Sequence, residues 1–336
     1  MKKINKKFLA LAALFIFVMT TGAVAADKSY TFKIGHIRPE TASVHTDLTN
    51  FCNEITEKTN GRIKFDMYPA SQLGDYTVVQ ERVSIGDVDM HIGPLGTAVD
   101  RRINIFTMPY LVSNWEEAEK VYGPDSILHK HMTELLLKQD IQVLAGYPVY
   151  FGGIITNVEV PEPGNPDVEK KIKIRVPPIK SYELTAEALG FLATPIPFAD
   201  TFTAMQTGVV NGAIGAGAEG YYSNFRDIAK YYLRVNDHLE FWYLFINKDT
   251  YEGLSEGDKK IFADASLAFQ KKRWELAPND TEKYEELLSK GVTKIIGFSD
   301  EELTRMKEKV QKEVWPALEA DVGADILKQL AAETTK

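Results

Sequence analysis

The 336-residue chain has one cysteine, Cys52, so it cannot form an intrachain disulfide even in an oxidising compartment. It lacks a Gly-rich phosphate loop, a nucleophile elbow and any Cys/His cluster, so no motif supports nucleotide binding, elbow-type hydrolysis or a metal centre. His129 and His131 are one residue apart on a predicted helix and therefore face different directions. No cofactor and no metal are expected. Basic charge is scarce, with 39 Lys and Arg against 47 Asp and Glu, and such a surface repels nucleic acid and anionic lipid. Beyond the first 26 residues no apolar run approaches the length of a membrane span.

Those first 26 residues read as a cleaved leader. Lys2, Lys3, Lys6 and Lys7 precede the apolar run from Phe8 to Met19, and the small residues Ala23-Val24-Ala25 close it. Cleavage after Ala25 or Ala26 is expected, with no Cys following to carry a lipid; the alternative is an uncleaved anchor. Losing the four leader lysines leaves 35 basic against 47 acidic side chains, a net charge of −12. The mature chain is thus expected to be exported and soluble.

About 310 mature residues exceed what one hydrophobic core usually serves, which favours two domains. The first half alternates strand and helix: TFKIGHI, SVHTDLTNFCNEITEKTNG, RIKFDMYP, a helix near VVQERVSIGD, VDMHIG and INIFTMPYL, the last read as a strand. Cys52 shares one helical face with Val44, Leu48, Phe51 and Ile55, so it reads as a small core residue. Strand IQVLAGYPV leads into FGGIITN, where the chain first crosses to the second domain, and HLEFWYLFIN is the expected return. Domain I is placed at residues 27–150 plus about 240–278, and domain II at 151–239 plus about 279–336. Two long helical stretches close the chain and brace both domains. One starts at Ser255 and is interrupted by Pro278; the other opens with a capping box, Ser299 to Glu302, and meets Pro316. Two α/β domains joined by crossing strands suggest a hinge with a ligand cleft between them.

The most informative stretch runs from Lys171 to Tyr222. KIKIRVPP presents Arg175 at the end of a short strand that Pro177-Pro178 cannot continue. An always-charged planar fork at a strand end suits a carboxylate or another oxyanion. The structural alternative is an ion pair with a nearby acid such as Asp200. Gly212 to Gly220 holds four glycines and three alanines, which would let backbone approach a ligand and leave volume unfilled. Phe198, Tyr150 and Trp242 are the aromatic candidates for lining such a cleft, with Tyr147, Phe151, Tyr221, Tyr222 and Tyr243 nearby. His36 and Arg38 follow the first strand, and His91 lies on VDMHIG; each His either faces the ligand or is a satisfied structural residue. Glu219, at a polar loop tip, could supply a hydrogen bond, and Asn157 could cap or brace its loop.

Together, GRIKFDMYPASQLGD, SIGDVDMHIG, FTMPYLVSNWEEAEKV, KIKIRVPP, TPIPFADTFTAMQTGVVNG and FINKDTYEGLSEGDKKIF resemble the DctP-family solute-binding proteins of the tripartite ATP-independent periplasmic (TRAP) transporters, over nearly all the mature chain. The resemblance implies an α/β, two-lobed periplasmic binding protein fold, with mostly parallel sheets joined by crossing strands and long bracing helices. It implies a monomeric receptor, not an enzyme, that closes on an organic acid and hands it to the small and large membrane permease subunits. Arg175 matches the family's carboxylate-binding arginine and Phe198 a pocket aromatic. Where the family usually has Asp-Gly-Gln-Glu-Asn this chain has Asn211-Gly212-Ala213-Ile214-Gly215, so a supporting amide is missing at Gly215. Gly152 and Pro178 stand where sialic-acid binders carry Arg and Asn, which argues against that ligand. Pocket composition favours a monocarboxylate with an aromatic or branched side chain, including a 2-oxo or 2-hydroxy acid. A small sulfonate or a dicarboxylate, a sensor role, and an exported enzyme are the alternatives.

Overall fold

The computed structural model describes residues 28–291 and 293–334; the expected leader lies outside them. Alternation of strand and helix in the first 150 residues builds β1 (Tyr30–His36), α1 (Ser43–Lys58), β2 (Ile63–Tyr68), α2 (Tyr76–Ser84), β3 (Met90–Gly93), α3 (Trp115–Tyr122), α4 (Ile127–Leu137) and β4 (Ile141–Phe151). The apolar face of α1 is buried as its spacing predicts, Cys52 included, and that burial pushes the Cys52 thiol well above its usual range. The remaining chain forms β5 (Gly153–Thr156), β6 (Lys173–Val176), α5 (Lys180–Ala188), β7 (Leu192–Pro195), α6 (Thr201–Gln206), β8 (Gly212–Ala216), α7 (Ala218–Phe225), β9 (Tyr231–Leu233), β10 (Leu239–Asn247), α8 (Lys248–Glu252), α9 (Glu256–Ser289), β11 (Lys294–Ile296), α10 (Asp300–Val322) and α11 (Ala324–Thr334).

These strands form two sheets, one per lobe. The first has the order β2-β1-β3-β10-β4, the second β11-β9-β5-β8-β6-β7. The pairs β1–β2, β1–β3, β6–β7, β6–β8 and β9–β11 are parallel, as helical crossovers require. Strands β5 and β10 enter their sheets directly from the other lobe, and each runs antiparallel to both neighbours. All nine residues of β10 are buried, which fits its place between β3 and β4. The two crossings lie side by side, with Gly152 donating its backbone N–H to the His238 carbonyl at 2.8 Å.

Three local expectations differ from the structure. Residues Arg101–Thr107, read as a strand, form 3-10 turns capped by Asp100. Their Ile103, Asn104, Ile105, Phe106 and Thr107 are all buried, and burial on every side overrides the β-propensity of the segment. Pro278 lies inside α9 without ending it, because the helix buries residues on both sides of the proline, Ala277 before it and Tyr284 and Leu288 after it. Glu219 is on the first turn of α7 rather than at a loop tip. The capping box of α10 forms in both directions. Helix α9 packs on β4 and α1 in the first lobe and on α7 in the second, so it braces both.

Candidate ligand site between the lobes

Strand β6 carries Arg175 into the cleft and ends at Val176, one residue before Pro177. The guanidinium is 2% exposed. Its Nε donates to the Ile196 carbonyl at 2.8 Å and its Nη1 to the Ile214 carbonyl at 3.3 Å. Both acceptors are neutral. Among the described residues no carboxylate forms an ion pair with Arg175, so the alternative pairing with Asp200 does not occur. Burial lowers the pKa of this group, partly offset by the phenols of Tyr76, Tyr221 and Tyr182 and by Asp75. A buried cation served only by carbonyls retains a demand for an anion.

Arg38, in the loop after β1, is the second buried guanidinium, at 1% exposure. Its Nε pairs with Glu219 Oε2 at 3.1 Å, and its Nη2 donates to the Tyr150 hydroxyl at 2.7 Å. The Phe198 ring centroid lies 4.8 Å and the Trp242 centroid 5.0 Å from its Cζ, within cation–π range. Nη1 is buried without a partner. Arg175 approaches the same Phe198 ring at 5.6 Å.

Between the two arginines lies a cavity of about 20 Å³, close to the space one water molecule needs. Tyr76, Phe198, Gly215, Tyr182 and Glu240 share its wall with Arg38 and Arg175. Contacts across the cleft hold it closed. Asp75 caps α2 and accepts from the Phe198 N–H at 3.0 Å, and the hydroxyls of Thr107 and Ser181 meet at 2.7 Å.

Comparison with known proteins matches residues 34–320 to a family described as bacterial extracellular solute-binding protein, family 7, or DctP. The chain belongs to this family. This DctP-family protein is 26% identical over 292 residues to a solute-binding protein of Roseobacter denitrificans, covering 85% of this chain and 88% of that one. It is 24% identical to the sialic acid-binding periplasmic protein SiaP of Vibrio cholerae, over 99% of this chain and all of that one. In fold it resembles the sugar acid binding protein of Advenella mimigardefordensis in complex with galactonate, with a TM-score of 0.85 and 19% identity, covering 92% and 99% of the two chains. A Bordetella pertussis solute receptor binding pyroglutamic acid gives 0.82 and 19%, over 92% and 100%. It is therefore a TRAP-type solute-binding protein with a two-lobed α/β fold. Among its described residues no helix is long and apolar enough to cross a membrane.

The DctP-family chain brings Arg175, Phe198 and Gly215 to the cavity wall. Tyr150, Trp242 and Glu219 stand behind Arg38 and hold it in place. His36 and His91 lie elsewhere. The Arg38 backbone N–H donates to His36 Nδ1 at 3.3 Å, leaving the proton on Nε2, which meets His45 Nδ1 at 3.0 Å. His91 packs on Phe245 with both ring nitrogens unpartnered. Burial, with His45 and the Arg38 charge nearby, pushes His36 down to about 3; burial, with His36 nearby, does the same to His91. Both are neutral at ordinary pH. Asn157 braces its loop through the Asn211 side chain at 3.3 Å.

The glycine-rich run does not leave open volume. A Cβ on Gly220 would sit 2.6 Å from Arg38 Nη2, one on Gly215 would sit 2.5 Å from Pro177 Cγ, and one on Gly217 would strike the Tyr150 ring. The glycines make room for the side chains that build the site. Sequence reasoning missed Tyr76, Tyr182 and Glu240. Of these, Glu240 had a visible signal, a lone acid within the apolar strand LEFWYLFIN. Its Oε1 accepts from Trp242 Nε1, and its Oε2 lies 3.3 Å from His238 Nε2 without the alignment of a hydrogen bond. Burial would lower the His238 pKa, but Asp237 at 2.7 Å and Glu240 outweigh it and hold it up at about 10.

Proposed function

We propose that this protein captures a compact monocarboxylate in the interdomain cleft, anchors its carboxylate on Arg175 and delivers it to the membrane subunits of a TRAP permease. The observation that carries the reading is Arg175 itself, a buried guanidinium bonded only to neutral carbonyls. One negative charge suffices, because the Arg38 charge is already met by Glu219. That balance disfavours a dicarboxylate. Tyr150 and Trp242 stand behind Arg38 rather than in the cavity wall, which supports a compact acid over one stacked on those two rings. We place the hinge at Gly152 and at residues 234–238, where the chain passes between the two sheets.

The test is a thermal-shift screen of refolded, ligand-stripped protein against monocarboxylic, dicarboxylic and sulfonic acids, repeated on Arg175→Ala. A ligand at hundredfold excess over its dissociation constant adds about 2.7 kcal/mol of stability. Truncating one partner of a buried charge pair costs about 2 to 5 kcal/mol of binding. Stabilisation by small monocarboxylates that vanishes in the variant is expected. A shift with sulfonates alone would move the ligand class, and a shift that survives Arg175→Ala would refute the anchor.

A further inference from the structure

We propose that Arg38 and Glu240 together read a hydroxyl group next to the ligand's carboxylate, so that the site selects 2-hydroxy acids over their 2-oxo, 2-amino and unsubstituted counterparts. This rests on the reading of Arg175 as the carboxylate anchor and adds the chemistry of the second contact. Arg38 is immobilised between the Phe198 and Trp242 rings, with Nε on Glu219 and Nη2 on Tyr150. Its Nη1 is buried without an acceptor in a residue that borders the cavity. Glu219 already meets the charge, so Nη1 lacks an acceptor rather than a counter-ion.

Glu240 borders the same cavity and is 5% exposed. One of its oxygens takes the Trp242 indole N–H; the other has His238 at 3.3 Å and the Tyr182 hydroxyl at 3.4 Å, both at the edge of hydrogen-bond reach. Two carboxylate oxygens offer about four lone-pair sites, so Glu240 retains capacity for a ligand donor. One wall thus supplies an unused donor and another a carboxylate with lone-pair capacity to spare. A hydroxyl serves both, accepting from Arg38 Nη1 and donating to Glu240. A 2-oxo group accepts from Arg38 but turns a lone pair toward Glu240, and an ammonium satisfies Glu240 but opposes Arg38. Because Arg175, Arg38 and Glu240 line one cavity, a hydroxyl that meets the latter two while the carboxylate sits on Arg175 belongs on the adjoining carbon.

The test is isothermal titration of the full mature protein with matched sets of three to six carbons: the 2-hydroxy, 2-oxo, 2-amino and unsubstituted acids of each length. Hydrogen bonds to charged groups predict a preference of about ten- to hundredfold for the hydroxy member. In Glu240→Gln, which keeps the acceptor for Trp242 and gains an N–H donor, the hydroxy-to-oxo ratio should collapse or invert while carboxylate binding persists. Equal wild-type affinity for hydroxy and oxo acids would overturn the proposal while leaving Arg175 standing, provided that binding is lost in Arg175→Ala. A hydroxy preference unchanged in Glu240→Gln would also overturn it. Binding of no acid in any set would overturn both readings. The wild-type ratios decide the matter even where the variant does not fold.

Discussion

Glu219→Gln is the most informative perturbation of the closed cleft. Glu219 lies in the second lobe and Arg38 in the first, so their ion pair exists only while the lobes touch. The side chains are 6% and 1% exposed, which places the pair beyond most solvent screening. Removing one member of a buried pair costs about 3 to 5 kcal/mol. Glutamine keeps a neutral acceptor for Arg38 Nε, and the Tyr150 hydroxyl and two aromatic rings remain, so about 2 kcal/mol is the expected loss, roughly thirtyfold in affinity. A ligand-free protein that opens its cleft hydrates Arg38 and escapes this cost. The variant should therefore bind its acid about thirtyfold more weakly by titration calorimetry, at low and moderate salt alike, while the unliganded melting temperature stays close to wild type. Affinity within twofold of wild type would refute the reasoning, as would a ligand-free melting temperature that falls as far as the liganded one.

Two further outcomes follow from the same geometry. His36 and His91, ordinarily near 6.5, are held at about 3 in the folded protein, so the unfolded chain takes up protons first as pH falls. The stability tied to their neutral forms is complete above about pH 6.5 and declines below it by about 1.4 kcal/mol per histidine per pH unit. His238, held up at about 10, adds stability as pH falls from 7.5 to 6.5, so the decline is read by urea unfolding at pH 6.0, 5.5 and 5.0, shallower by one histidine in His91→Leu; a flat profile across that window would contradict it. Gly215 has φ +90°, and its Cβ would sit 2.5 Å from Pro177 Cγ and 3.6 Å from Arg175 Nη1. Gly215→Ala should lose about 2 to 4 kcal/mol in urea unfolding and weaken ligand binding; wild-type stability would contradict the packing described.

Features governed by the local chain were legible in the sequence. Pro177 stops β6 after Arg175 because proline has no N–H to give a sheet, and the Ser299–Glu302 pair caps α10 over three residues. Features set by distant partners were not. Arg38 gains its role from Tyr150 and Glu219, 112 and 181 residues away in sequence, so nothing beside it marks it as a fixed cation. The continuation of α9 through Pro278 likewise depends on what the helix packs against, and the contents of the glycine-rich run depend on Tyr150 and Arg38 entering from the other lobe. Arg175 was legible as a candidate anchor by its place at a strand end, and the structure puts it in the cavity wall. Its lack of an acidic partner could be learned only from the folded surroundings.

The most direct test of the central claim is native mass spectrometry of the mature protein, purified without refolding, beside Arg175→Gln prepared in the same way. The account predicts a wild-type adduct whose released mass is a small monocarboxylic acid, and no such adduct on the variant. An adduct carried equally by both proteins, or one that is not an acid, would contradict it.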